Sequence, residues 1–152
     1  MGTLQDFRDD LPLLVESGLI AIKQGDEESA KKLFDAVGLI DPQNTAKKMG
    51  YGLIALHKMD IGNAQKNFNE ILKVEQTNWR AQAFLAFSYI LSVLQEGTND
   101  EKMSSLRKGA ELALEVVEKS DAPSTRTLAQ SLLDWEKELM GKVEAEKGPL
   151  SQ

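Results

Sequence analysis

The chain has no cysteine and a single histidine among its 152 residues. Without cysteine, a disulfide framework and a thiolate zinc site are both excluded. With only His57 available, a histidine-based triad has no support beyond a lone general base. Basic residues are also too few for a phosphate-backbone binder, which needs a basic face: 18 Lys and Arg stand against 24 Asp and Glu, for a net charge of −6. The imbalance is even, with 9 basic and 12 acidic side chains in residues 1–78 and the same numbers in 79–152. Neither a basic arm nor an acidic tail marks an electrostatic address.

Long apolar runs are missing as well. The longest, Phe84 to Leu94, is interrupted by Ser88 and Ser92 and falls well short of the ~20 residues that cross a bilayer. The start Met1-Gly2-Thr3-Leu4-Gln5-Asp6 has no basic stretch followed by an apolar one, so no signal peptide is expected. It also carries Asp6 where a myristoylation signal at Gly2 wants Ser or Thr. A cytoplasmic protein without membrane insertion is the expectation. At 41% hydrophobic and 28% charged residues, the remaining composition is that of one ordinary globular domain with a core of its own.

A period of 34 residues runs through the first half of the chain. It links Gly18 to Gly52, Ala21 to Ala55, Ala30 to Ala64, Phe34 to Phe68, Val37 to Ile71 and Asn44 to Asn78. A further step reaches Trp79, Leu85, Ala86 and Tyr89, again at small or apolar positions. Beyond Tyr89 the register slips. The next segment with the same pattern is Ala110, Leu114 and Val117, spaced as Ala30, Phe34 and Val37 are, which implies an insertion of about 12 residues. The insertion contains Gln95-Glu96-Gly97-Thr98-Asn99-Asp100, a polar cluster expected to form a loop.

This pattern resembles the tetratricopeptide repeat (TPR) family, whose signature is small and large residues on a first helix A, then Ala, an aromatic and Pro on a second helix B. Repeat one (Leu11–Asn44) carries Gly18, Gly25, Ala30, Phe34 and Pro42, with Leu14 where Trp is usual. Repeat two (Thr45–Asn78) carries Tyr51, Gly52, Ala55, Ala64 and Phe68, with Gln76 in place of the Pro. Repeat three (Trp79 to about Ala122) keeps Leu85, Ala86, Tyr89 and Ala110 and diverges most. The resemblance implies an all-α, right-handed solenoid of three helix-turn-helix repeats in a single domain spanning 1–146. Gly18, Gly52 and Ala86 would let helix A approach helix B, with Ala30, Ala64 and Ala110 as reciprocal small positions. Phe34, Phe68 and Leu114 would fill the space between repeats.

The ends need closing. Asp9 or Asp10 can cap the first helix, with Pro12 tolerated in its opening turn. From Ser124 or Thr125 a capping helix over about 124–146 places Leu128, Leu132, Trp135, Leu139 and Val143 on one face. That face either closes the last repeat or offers Trp135 to a partner. Residues 147–152 are expected to be a disordered tail.

No catalytic constellation accompanies this frame, and calcium-loop, P-loop and dinucleotide glycine patterns are all missing. His57, near the end of a helix A, is expected at the surface or the groove edge. Asp26, Glu27 and Glu28 sit in a turn and the first turn of a helix, where they favour the helix dipole and stay solvated rather than hold a metal. A non-enzymatic chain with neither metal nor cofactor is the expectation.

In the TPR family the A helices line a concave face that takes a peptide or helix of another protein. The second, fifth, ninth and twelfth places of each repeat face that groove. They are Pro12, Val15, Leu19 and Ile22, then Ala46, Met49, Leu53 and Leu56, then Arg80, Ala83, Phe87 and Ile90. Co-chaperones of the family that hold an acidic heat-shock protein terminus use Lys, Asn and Arg at the fifth, ninth and sixth places. Here Val15 and Leu19, Gly50 and Phe84 occupy those places, so the carboxylate clamp is missing. The expected groove is apolar and larger than a soluble monomer normally exposes. Its cover would be the N-terminal Leu4, Phe7 and Leu11, a second copy in a homodimer, or an amphipathic helix of a partner held by spaced anchors. Met49 and Phe87 suit an adaptable surface of that kind.

In size, acidity and groove chemistry the chain resembles the TPR chaperones of bacterial type III secretion, foremost those that hold the needle subunit and then those for translocators. That resemblance implies storage of an aggregation-prone helix of a small secreted subunit until export. The competing class is a self-assembling TPR scaffold that fills its groove with the Leu128–Val143 or the Leu4–Leu14 segment of another copy.

Overall fold

The computed structural model describes residues 4–147, and among these every regular element is helical. A 3₁₀ segment, Leu4–Asp10, leads into α1 (Leu11–Lys23), α2 (Glu27–Ile40), α3 (Ala46–His57), α4 (Ile61–Val74) and α5 (Trp79–Leu91). A 3₁₀ turn at Ser92–Leu94 precedes α6 (Asn99–Lys119) and α7 (Pro123–Lys147). The chain gathers into two compact units, one through Ile71 and one from Leu72 onward, so the boundary falls inside α4.

Local chemistry explains where the helices of the first unit start and stop. Pro12 sits in the opening turn of α1, where its missing N–H costs nothing, and Asp10 is the N-cap residue without a side-chain bond to the helix. At α2, Asp26 is a working cap: its carboxylate accepts from the Ser29 amide at 3.1 Å, and the Ser29 side chain and then that amide hold its pKa below the usual value. Glu27 and Glu28 follow in the first turn and pair with Lys31 and Lys32 one turn on.

The turns that close α1 and α3 are the same turn 34 residues apart. Gly25 (φ 75°) and Met59 (φ 59°) both adopt the left-handed conformation. Gly25 N–H donates to Ile22 and Asp26 N–H to Ala21, while Met59 N–H donates to Leu56 and Asp60 N–H to Ala55, all at 2.8–3.0 Å. This double bond to the last helical carbonyls is a Schellman stop. The turns entering α3 and α5 repeat too, with Asn44 N–H donating to Asp41 and Asn78 N–H to Glu75, each at 3.0 Å.

In the first unit α2 packs against both α1 and α3, α1 also touches α3, and the leading 3₁₀ segment packs on α1 and α2. Phe34 is 1% exposed, and a Cβ built on Gly18 would stand 2.7 Å from its ring. A Cβ on Gly50 would meet the same ring, so two glycines from two helices clasp one aromatic. Gly52 does this for Phe68, at 2.5 Å.

In the second unit α6 packs against α5 and α7, and α5 touches α7. Its core runs from Ala83, Ala86 and Ile90 through Leu106, Ala113 and Val116 to Ala129, Leu132, Leu139 and Val143. Gln82 is buried and donates from Nε2 to the Leu112 carbonyl at 3.1 Å and to Glu115 Oε1 at 2.7 Å, tying α5 to α6 through a satisfied polar contact.

The register expected on α6 needs correction. Leu114, assigned there to the place of Phe34, is 48% exposed, and Ala110 and Val117 are only half-buried. The buried stripe is Leu106, Gly109, Ala113 and Val116, one residue earlier. Gly109 therefore stands where Ala30 does and Ala113 where Phe34 does, and the insertion is 11 residues. It does not form a single loop. Gln95 to Thr98 connect the helices, Asn99 and Asp100 already belong to α6, and α6 runs 21 residues against 14 for α2 and α4. Thr98 caps the lengthened helix by accepting from the Glu101 amide at 3.1 Å.

The closing helix begins at Pro123 and extends through Lys147. The remainder of the expected tail, 148–152, lies outside the described residues.

Candidate functional site

The face expected to bind a partner lies in the first unit on α1 and α3. Val15, Leu19 and Ile22 follow one another at helical spacing and are all half-buried. Val15 rests on the cluster of Leu11, Val37 and Ile40, and Ile22 on Ala21, Ala30 and Ile54. On α3, Met49 and Leu53 are half-buried, while Leu56 is 7% exposed and belongs to the core. The strip is thus apolar but shallow. The flanking places differ: Pro12 is exposed and Ala46 half-buried.

Cover by the N-terminal segment finds no support at Phe7, which is 48% exposed, whereas Leu11 is buried in the unit's own core. Leu4 lies among the side chains outside the description. The most exposed large apolar residues of this unit are Leu13 and Leu39, and neither belongs to the expected face.

In the second unit the expected residues are largely closed off. Ala83 and Ile90 are both 0% exposed, Ile90 because its Cγ1 fills the space that a Cβ on Gly109 would take. Phe87 stays half-buried, with its ring edge-on to Trp135 at 6.2 Å. The Leu128–Val143 face of α7 is the one turned inward, with Leu128 and Trp135 half-buried beside the buried Leu132, Leu139 and Val143. Of the nine expected groove residues, those left accessible are Val15, Leu19, Ile22, Met49 and Leu53 in the first unit and Phe87 in the second.

Two polar clusters stand in the same unit. The Tyr51 hydroxyl donates to Asp35 Oδ1 at 2.7 Å, and Lys47 reaches the same oxygen at 3.4 Å. Burial and then the Asp35 carboxylate push the Tyr51 hydroxyl up to about 12, while its hydrogen bond holds Asp35 below the usual carboxylate range. Glu27 bridges Lys31 at 2.8 Å and Lys58 at 3.1 Å. Both cations lower the Glu27 pKa. His57 ends α3 at the exposed edge of a small apolar recess shared with Ile22 and Ile54.

Among the described residues no group of three His, Cys, Asp or Glu is placed to hold a metal, and no helix is long and apolar enough to cross a membrane. What the α1–α3 strip offers is apolar contact, and Lys47 and Tyr51 stand about half a turn round α3 from Met49. Sequence reasoning missed the Asp35–Tyr51 bond and the role of Gly50. The spacing Gly50-Tyr51-Gly52 carried a usable signal, because two glycines two residues apart in a helix, each costing about 0.5–1 kcal/mol, imply close approach on both sides. No family model, no curated protein and no solved structure matches the chain.

Proposed function

We propose that the chain is a non-catalytic, TPR-type helical-repeat module that holds an amphipathic helix of another protein against the α1 and α3 strip. The observation that carries this reading is the repetition itself: the same turn, the same entry bond and the same glycine–phenylalanine contact recur at a step of 34, with Leu19 and Leu53 in one register on the accessible face. Repeats that stack this way present one row of equivalent positions, and half-buried aliphatic groups in such a row suit the i, i+3, i+4 anchors of a helix. The client class we favour is a small secreted subunit of a type III secretion system, of the needle-protein kind.

The test uses the chain as bait in lysate of its own source, beside a Leu19→Glu/Leu53→Glu double variant checked for helicity by circular dichroism. The expected result is one stoichiometric small helical protein retained by the parent and reduced at least about tenfold with the double variant, since two buried anchors are replaced by charge. Equal retention by both baits rejects the strip as the binding face. Identification of the retained chain as anything but a secreted subunit rejects the secretion assignment.

A further inference from the structure

The α6–α7 pair carries a second surface, independent of the strip on α1 and α3. Between the two helices runs a recess lined by Ala110, Leu114 and Leu133, with Arg107, Glu111, Glu136 and Lys137 along it. A step of 79 residues superposes α2 on α6, with Val37 and Val116 buried alike and each accepting from the first residue beyond its helix. The same step brings Gly50 to Ala129 and Ile54 to Leu133. In the first unit the corresponding recess is polar and shared with α4, whose Asn63 and Asn67 line it beside Lys31, Tyr51 and Ile54. There the place of Leu114 is held by Asp35, bonded to Tyr51 and Lys47, and the place of Ala110 by Lys31, paired with Glu27. In the second unit the equivalent seat has turned apolar, and Leu114 is left 48% exposed.

We infer that this seat is covered by a second copy of the chain, related by a two-fold axis through its own α6–α7 recess. The side chains along the recess argue for a like partner: two cations, Arg107 and Lys137, stand with two anions, Glu111 and Glu136. A surface of one charge sign would meet a like charge at two of these four, whereas a two-fold copy can place every cation against an anion. Burial already raises the Glu136 pKa, as expected for a carboxylate beside an apolar floor. The dimensions agree. Helices of 21 and 25 residues present a face about 30 Å long and about 20 Å wide. That buries roughly 1,200 Å² over both copies, the lower end of a specific interface, for which a micromolar dimer is expected.

Sedimentation equilibrium of the full chain from about 1 µM to about 1 mM tests this across the range expected for such an interface. The mass is expected to rise from that of the 16.8 kDa chain to twice that value and no further. Leu114→Asp, which restores to α6 the residue type found on α2, is expected to weaken the dimer at least about thirtyfold with helicity unchanged. Charge exchange guards against a trivial loss of fold. An Arg107→Glu/Lys137→Glu chain and a Glu111→Lys/Glu136→Lys chain are each expected to be monomeric alone and to pair when mixed. A monomer at every concentration, an assembly larger than two, a dimer indifferent to Leu114→Asp, or charge variants that fail to pair when mixed would each overturn the inference.

Discussion

In the first unit, the leading helix of each hairpin contributes a glycine and the trailing helix a phenylalanine, Gly18 with Phe34 and Gly52 with Phe68. The second unit reverses the roles: the trailing helix α6 supplies Gly109, and the leading helix α5 supplies Ile90, whose Cγ1 would lie 2.7 Å from a Cβ added to that glycine. Helix separation depends on the summed volume of the facing residues, so either helix can carry the large member. A repeat signature records one solution to this packing condition. It loses its register where the chain adopts the other.

The largest expected effect breaks the contact in the first unit. Phe34→Ala removes a fully buried ring clasped by two glycines and is expected to cost about 3–5 kcal/mol in urea unfolding followed by circular dichroism. If the comparison holds, Gly109→Ala is the matching lesion in the second unit, since the new methyl meets both Ile90 and the Ala86 carbonyl, the latter at 3.1 Å. It should cost about 1–3 kcal/mol, seen in the fluorescence of Trp79 and Trp135, both of which lie beyond Leu72. Ile90→Ala, which removes both Cγ1 and Cδ1, should cost less beside Gly109→Ala than in the parent, and simple additivity of the two substitutions would show that Ile90 is not the opposing group.

A smaller effect concerns Asp35, the polar counterpart of exposed Leu114. Tyr51→Phe is expected to cost about 1 kcal/mol at pH 7 through loss of its bond to that carboxylate. The folded Tyr51 pKa of about 12 exceeds its ordinary value of 10.0. Its contribution is therefore complete below pH 10 and lost as pH rises through 12. Asp35, lowered from 3.8, contributes above that value and loses its share as pH falls. The denaturation midpoint of the parent should decline at both ends of a pH series, and the Phe variant should flatten the alkaline decline. An alkaline ultraviolet titration that places the Tyr51 midpoint near 10 would contradict the contact.

The smallest effect sharpens the contrast between the turns. Met59 pays for a left-handed conformation that Gly25 adopts freely, whereas the connection before α6 uses an extended residue, Gln95, instead. Met59→Gly should stabilise by about 0.5–1 kcal/mol, raising the thermal midpoint. Gln95→Gly should bring no such gain.

The helices, their polar caps and the 34-residue step were legible because each rests on signals within a few residues of one another. Asp26 caps α2 through an amide three residues on, and the Schellman stops need only the last turn of a helix. The candidate face was legible in part. Val15, Leu19, Met49 and Leu53 keep some exposure, while Ala83 and Ile90 lost theirs to α6 and its unit core.

By itself the sequence determined an all-helical chain with repeated hairpin turns, since helix periodicity and capping are local. The tertiary structure alone decided which stripe of α6 turns inward. Leu112, Ala113, Leu114, Val116 and Val117 lie close together, so more than one face of that helix is apolar enough to bury. Only the missing side chain at Gly109 lets α5 come near, and that approach buries Ala113 and leaves Leu114 in solvent.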